Sequence, residues 1–187
     1  MTRLTRLCRA VGVGLAVVAA TLSMTQVANA KPAQPIDTST ITPTSGQVFL
    51  VGHAKGVQKY QCTTDPVDNV IKWKFVAPEA DLVDDNGKLI VKHFAGPTWQ
   101  STADKSAVKG TLMASVPSPT PDRAIPWLLL STSPADGSPT TGLLVGTKFI
   151  QRLETKGGTA PPAASCKAQT LNKVHEVPYK ADYAFWK

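Results

Sequence analysis

The residues able to carry chemistry in this chain are few, and one short stretch concentrates them. "VKHFAGPTW", residues 91 to 99, ends an apolar run in His93, turns at Gly96-Pro97 and delivers Trp99. An imidazole there serves either as an acid–base group or as the anchor of a turn. The segment "EADLVDDNGKLIVKHF" reads as a hairpin, and Asn86-Gly87 predicts a two-residue type I′ turn. That register pairs Leu82 with Val91, Val83 with Ile90 and Ala80 with His93. Glu79 then sits beside the position opposite His93, where a carboxylate would raise the imidazole pKa and hold its tautomer. His93, Pro97, Trp99, Glu79 and Tyr60 form the candidate pocket. In the simplest reading His93 bonds a loop carbonyl or Glu79 while Trp99 covers the hairpin end.

Other chemistries find less support. After the first thirty residues the chain has three histidines, His53, His93 and His175, in no paired spacing. "HEVP" lacks the second histidine of a zinc motif, so no metal site and no cofactor is expected. Asp81, Asp84 and Asp85 crowd the hairpin with Glu79, but a strand divides them between two faces. No G-x-S-x-G occurs, so nucleophilic catalysis has no motif. Trp73, Trp99, Trp127 and Trp186, with Tyr60, Tyr179 and Tyr183, are many aromatics for one domain. Trp73 and Trp127 read as core, whereas Trp99, after a loop corner, is free to stack on a sugar ring.

The compartment comes from the first thirty residues. Arg3, Arg6 and Arg9 precede an apolar run from Ala10 to about Leu22, and Ala28 and Ala30 supply an A-x-A cleavage pattern. Residues 1–30 are therefore expected to be a signal peptide, and Cys8 leaves with it. The run is shorter than the roughly 20 apolar residues a spanning helix needs, so no stable membrane span remains after cleavage. Residues 31–187 carry 17 basic and 13 acidic side chains, scattered with no cluster of five or more cations, which reads as a solvated positive surface, and no nucleic-acid partner is expected. Cys62 and Cys166 remain, and in a secreted or periplasmic setting two lone cysteines pair. The bridge would close a loop of 105 residues, for which chain entropy alone gives about 4–5 kcal/mol.

The elements that must position these residues are strands. Residues 31–46 are rich in Pro, Ser and Thr and read as an extended lead-in. From residue 47 the hydrophobic period is two: Tyr60 shares a face with Cys62, and Ile71, Trp73 and Phe75 share another. Further strands are expected in "GQVFLVGH", "AVKGTLMASV", "IPWLLLST", "LLVGTKFIQRLET" and "ADYAFW". In the fourth, Leu144, Gly146, Lys148, Ile150 and Arg152 alternate with Leu143, Val145, Thr147, Phe149 and Gln151. Loops rich in Pro, Gly and Ser separate these strands. One all-β domain over 47–187 follows, an antiparallel β-sandwich or barrel with one long-range disulfide.

The segments "VQKYQC", "WKFVAPEADLVDDNGKLIVKHFAGPTW", "VKGTLMASVPSPTPDRAIPWLLL", "FIQRLETKGGTAPPAASC" and "VPYKADYAFW" resemble a family of secreted bacterial and fungal proteins, domain of unknown function 3455 (DUF3455). The resemblance implies a secreted single domain. The family usually carries Asp-Gly-Ser after the tryptophan segment, and here Asp104 and Ser106 stand at that place with Lys105 between them. Some fungal relatives carry a malate dehydrogenase label. No dinucleotide fingerprint supports it here, since the only G-x-G, Gly12 to Gly14, lies in the leader. The expected function is a binding or structural module for an envelope or extracellular component, with polysaccharide as a candidate partner. The alternative is a small metal-dependent or acid/base enzyme centred on His93 and Glu79.

Overall fold

The computed structural model describes residues 35–187. The expected signal peptide, with Cys8, lies outside the described residues. Eight strands follow one another: β1 (Val48–Thr64), β2 (Ile71–Val83), β3 (Leu89–Phe94), β4 (Thr98–Ser101), β5 (Ala107–Val116), β6 (Trp127–Pro134), β7 (Phe149–Gly157) and β8 (Val174–Trp186). Each pairs antiparallel with the next, and β8 returns to β1, so the sheet closes into a barrel. Of the two all-β architectures expected, the chain adopts the barrel.

The period-two pattern explains which way each strand faces. On β8, Tyr179, Ala181, Tyr183 and Phe185 point inward, and Lys180 lies outside. On β2, Ala80 and Leu82 are buried while Asp81 holds Lys92 on the outer surface. Alanines 54, 80 and 181 leave room for the large rings of Trp99, Tyr183 and Phe185 in one continuous core, the small-large alternation a narrow barrel needs. Lys59–Glu79 and Lys109–Asp136 are further outer-face ion pairs.

The structure departs from the sequence reading in several places. "GQVFLVGH" and "GVQKYQC" belong to one strand, β1, as do the segments expected separately around Trp73 and Leu82 in β2. A register shift between Lys59 and Tyr60 lets β1 stay paired along its length. Four residues after the Gly96-Pro97 corner form β4, which the sequence pattern did not single out; β4 joins β3 through His93–Trp99 and β5 through Trp99–Val108. The hairpin turn is not the expected type I′. Asp84 O accepts the N–H of Gly87, and Asp84 Oδ1 accepts those of Asn86 and Lys88. The aspartate moves the turn one residue back, and only Gly87, at φ 80°, is left-handed. The extra residue sets Val83 opposite Leu89 rather than Ile90, while Leu82–Val91 and Ala80–His93 stand as read.

The lead-in is not extended throughout. Asp37 Oδ1 accepts the Ser39 N–H and opens a 3₁₀ turn over Ser39–Ile41. Ile41 is fully buried on the outer face of β6 with Trp127 and Leu129, and its carbonyl accepts Gln151 Nε2 at 2.7 Å. Residues 143–148, expected as strand, form a looped plug instead. Leu143 N–H donates to Asp104 Oδ2 at 2.7 Å, and Leu144 N–H to Ser106 Oγ at 3.0 Å. These bonds seat Leu144, with no exposed surface, in the barrel core. Cys62 and Cys166 are bonded, tying the end of β1 to the β7–β8 connection. No helix among the described residues is long and apolar enough to cross a membrane.

Two variants test the plug. Asp104 is held well below the usual carboxylate range by the Ser106 hydroxyl, then by the Leu143 and Ser106 N–H groups. A depressed folded pKa gives stability that is present above the ordinary carboxylate pKa of about 3.9 and is lost as the pH falls below it. Asp104→Asn is therefore expected to be less stable at pH 7 and to lose less on acidification, as urea denaturation from pH 7 to pH 2.5 would read. Lys105 sits at φ 62°, a conformation that L side chains resist and glycine does not. Lys105→Gly is expected to raise stability by up to about 1 kcal/mol; unchanged or lower stability would show that the position carries no strain.

Candidate functional site

His93 is the centre of the barrel interior. It pairs with Ala80 across β2–β3 and with Trp99 across β3–β4, and it is 3% exposed. Its Nδ1 lies 2.9 Å from the carbonyl of Thr98. A carbonyl only accepts, so Nδ1 carries the proton and Nε2 keeps its lone pair. Trp99 stacks on the imidazole with ring centres 4.2 Å apart and planes 10° from parallel. Tyr183 meets both rings edge-on, at 5.3 and 5.6 Å. Trp99 lies flat against β5 because position 110 is glycine: a Cβ there would fall 2.8 Å from the indole.

This aromatic group walls one side of a cavity of about 400 Å³ that opens at the end of the barrel carrying the Gly96-Pro97 corner. Leu128, Leu130 and Pro78 form much of the remaining wall, with Gln58 and Arg152 as its polar members besides His93 and Tyr183. Phe75, Val76 and Leu112, also lining the cavity, are 49%, 53% and 58% exposed. These three large apolar side chains are left half in water around the opening.

The sequence candidates divide accordingly. His93, Pro97 and Trp99 line this one cavity. Glu79 does not join them. It stands on the outer face and holds Lys59, because residues 79 and 80 point to opposite sides of β2, and only Ala80 faces the barrel interior. Tyr60 is buried, packs on Phe75 and donates to the Gly158 carbonyl at 2.7 Å; its ring lines a separate depression beside Pro126 and Ala160. The histidines stay apart. His53 lies between Asp85 and Asp182, which raise its pKa, and His175 lies against Trp73. Trp73, read as core, is only partly buried and donates to Ser165 Oγ. Among the described residues no group of three or more His, Cys, Asp or Glu side chains is arranged to hold a metal.

Sequence reasoning passed over Arg152 and Gln58. Both had a signal: Arg152 shares its strand face with Ile150, and Gln58 is two residues from Tyr60, itself two from Cys62. A charge or amide alternating in phase with core residues is the pattern of a polar group inside a barrel. Arg152 Nε and Nη2 both donate to the Pro126 carbonyl, at 3.1 and 2.9 Å. Gln58 is 2% exposed, and its Nε2 stands beside the Tyr179 hydroxyl without making a hydrogen bond.

Burial pushes the His93 pKa down to about 3, with the positive charge of Arg152 adding to the effect against the Thr98 bond. The imidazole is thus neutral at physiological pH and a weak base. It acts as a fixed acceptor and a stacking surface.

The family model described as "Protein of unknown function (DUF3455)" matches residues 43–187. No curated protein and no solved structure matches the chain. The chain belongs to the DUF3455 family.

The His93 environment makes a pH prediction with a defined sign. Between about pH 3 and pH 6.5 the unfolded chain takes up a proton that folded His93 refuses, so its contribution to stability falls as the pH is lowered through that window. His93→Phe keeps a ring against Trp99 but removes the titration. It is expected to cost about 1–2 kcal/mol at pH 7, because the Thr98 carbonyl loses its donor. It is also expected to show a shallower decline below pH 6.5. Parallel pH profiles for the two proteins would refute a buried neutral His93.

Proposed function

We propose that this DUF3455 chain is an extracytoplasmic binding protein that takes a small, largely apolar molecule into the barrel lumen. The observation that carries the reading is the cavity itself: about 400 Å³ inside a closed sheet, apolar-walled, with an apolar mouth at one end. Eight-stranded barrels have room for one small ligand, and the plug built on Asp104 and Ser106 leaves the opposite end as the way in. The paired cysteines support export to an oxidising compartment, in keeping with the leader read in residues 1–30.

The placement of Trp99 favours a small molecule over a polysaccharide in this reading. Sugar stacking needs an aromatic face at the surface, and Trp99 is 1% exposed with His93 already on one face of its ring. An acid/base enzyme centred on His93 and Glu79 needs the two together, and they occupy opposite faces of the sheet.

The test uses Nile red, a neutral apolar dye whose emission shifts on leaving water. Wild-type protein is expected to bind it with a blue shift. Leu128→Trp fills the lumen and is expected to weaken binding at least about tenfold, the equivalent of 1.4 kcal/mol. Equal binding by a folded Leu128→Trp protein would place the dye outside the lumen and overturn the reading.

A further inference from the structure

Two N–H groups in the lumen wall lack an acceptor. Gln58 Nε2 and Trp99 Nε1 are buried N–H groups with no acceptor, and both residues line the cavity. Buried donors of this kind are uncommon in finished cores, because each has lost water without gaining a partner. A third such group, Trp127 Nε1, lies on the outer face near Ile41 and does not belong to the cavity.

Arg152 adds a charge to the set. It projects into the lumen between its cross-strand neighbours Leu128 and Tyr183. The Pro126 carbonyl takes two of its N–H groups. Among the described residues it has no carboxylate partner, although eight other cation–carboxylate contacts are formed. No Asp or Glu lines the cavity. A guanidinium walled by leucine and tyrosine, without a counter-charge, is a site for one.

We infer that the ligand of this lumen is a monocarboxylate with an apolar body, its carboxylate bonded to Arg152 and Gln58 and its body lying between Trp99, Leu128 and Leu130. The inference rests on the lumen being the binding site. One cation fits one negative charge, and the apolar walls offer nothing to a second. The planar guanidinium suits a carboxylate, which accepts parallel N–H bonds. The Tyr183 hydroxyl, 3.4 Å from that of Tyr179, stands beside Arg152 as a further hydrogen-bonding group.

The test compares matched acid and alcohol probes by titration calorimetry: octanoate with 1-octanol, and 2-naphthoate with 2-naphthalenemethanol. Wild-type protein is expected to bind the acid of at least one pair about tenfold or more tightly than its alcohol. Arg152→Met is expected to bring that ratio to about one while leaving the alcohol within a few-fold of wild type. Because Arg152 also holds Pro126, a second variant, Gln58→Leu, keeps the charge and removes only the unpartnered amide; it is expected to lower the acid-to-alcohol ratio several-fold. Equal binding of acid and alcohol by wild type, or an unchanged ratio in both variants, would overturn the carboxylate assignment and leave lumen binding standing. Failure of all four probes to bind would overturn both.

Discussion

Closure of the sheet between the first strand and the last is the constraint on which the rest of this structure depends. The β1–β8 ladder runs from Val48–Trp186 to Gln61–Val174 and joins opposite ends of the domain. Without it the seven other pairings would make an open meander with two free edges, an arrangement that invites pairing with other chains. With it, one face of every strand becomes interior. The Cys62–Cys166 bridge works in the same direction, holding the connection into β8 against the end of β1. Both are contacts of long sequence separation, the kind whose loop-closure entropy is largest.

Closure also sets the electrostatics. On the outer face, charged side chains meet in ordinary surface pairs such as Lys92–Asp81 and Lys109–Asp136, each worth little because water screens it. Inside, the same residue types behave differently. His93 is kept neutral by burial, whereas His53, on the outer face between two carboxylates, is pushed towards its charged form. One imidazole has become part of a wall and the other part of a surface ion cluster, and strand phase decides which.

The interior is finished at one end and open at the other. At the plugged end each polar group has a partner: Asp104 and Ser106 share the N–H groups of Leu143 and Leu144, and Thr147 caps the Leu144 carbonyl. In the cavity behind the open end, Gln58 Nε2 and Trp99 Nε1 are left without partners, and Phe75, Val76 and Leu112 are left half in water. Both deficits point to something the folded chain alone does not supply, which is the physical basis of the binding reading.

Most of the strands, though not the four-residue β4, were legible in the residues because alternation is a local property. Tyr60 and Cys62 on one face, or Ala80 opposite His93, follow from period two and from a hairpin with a glycine turn, and the pairing of two lone cysteines follows from their number. What needed the tertiary structure was which face would be enclosed. Glu79 and Ala80 are adjacent in sequence and lie on opposite sides of a barrel wall. The plug at Leu143–Lys148 alternates as a strand does, yet Asp104 and Ser106, nearly forty residues earlier, capture the N–H groups of Leu143 and Leu144. The turn at Gly87 moved by one residue because the Asp84 side chain competed for the backbone. Arg152 reads locally as one more cation on a half-buried strand; only closure turns its side of the sheet into a lumen and leaves it facing a cavity without a carboxylate. Spacing along a chain fixes what a residue shares a face with, and the joining of distant strands fixes what that face encloses.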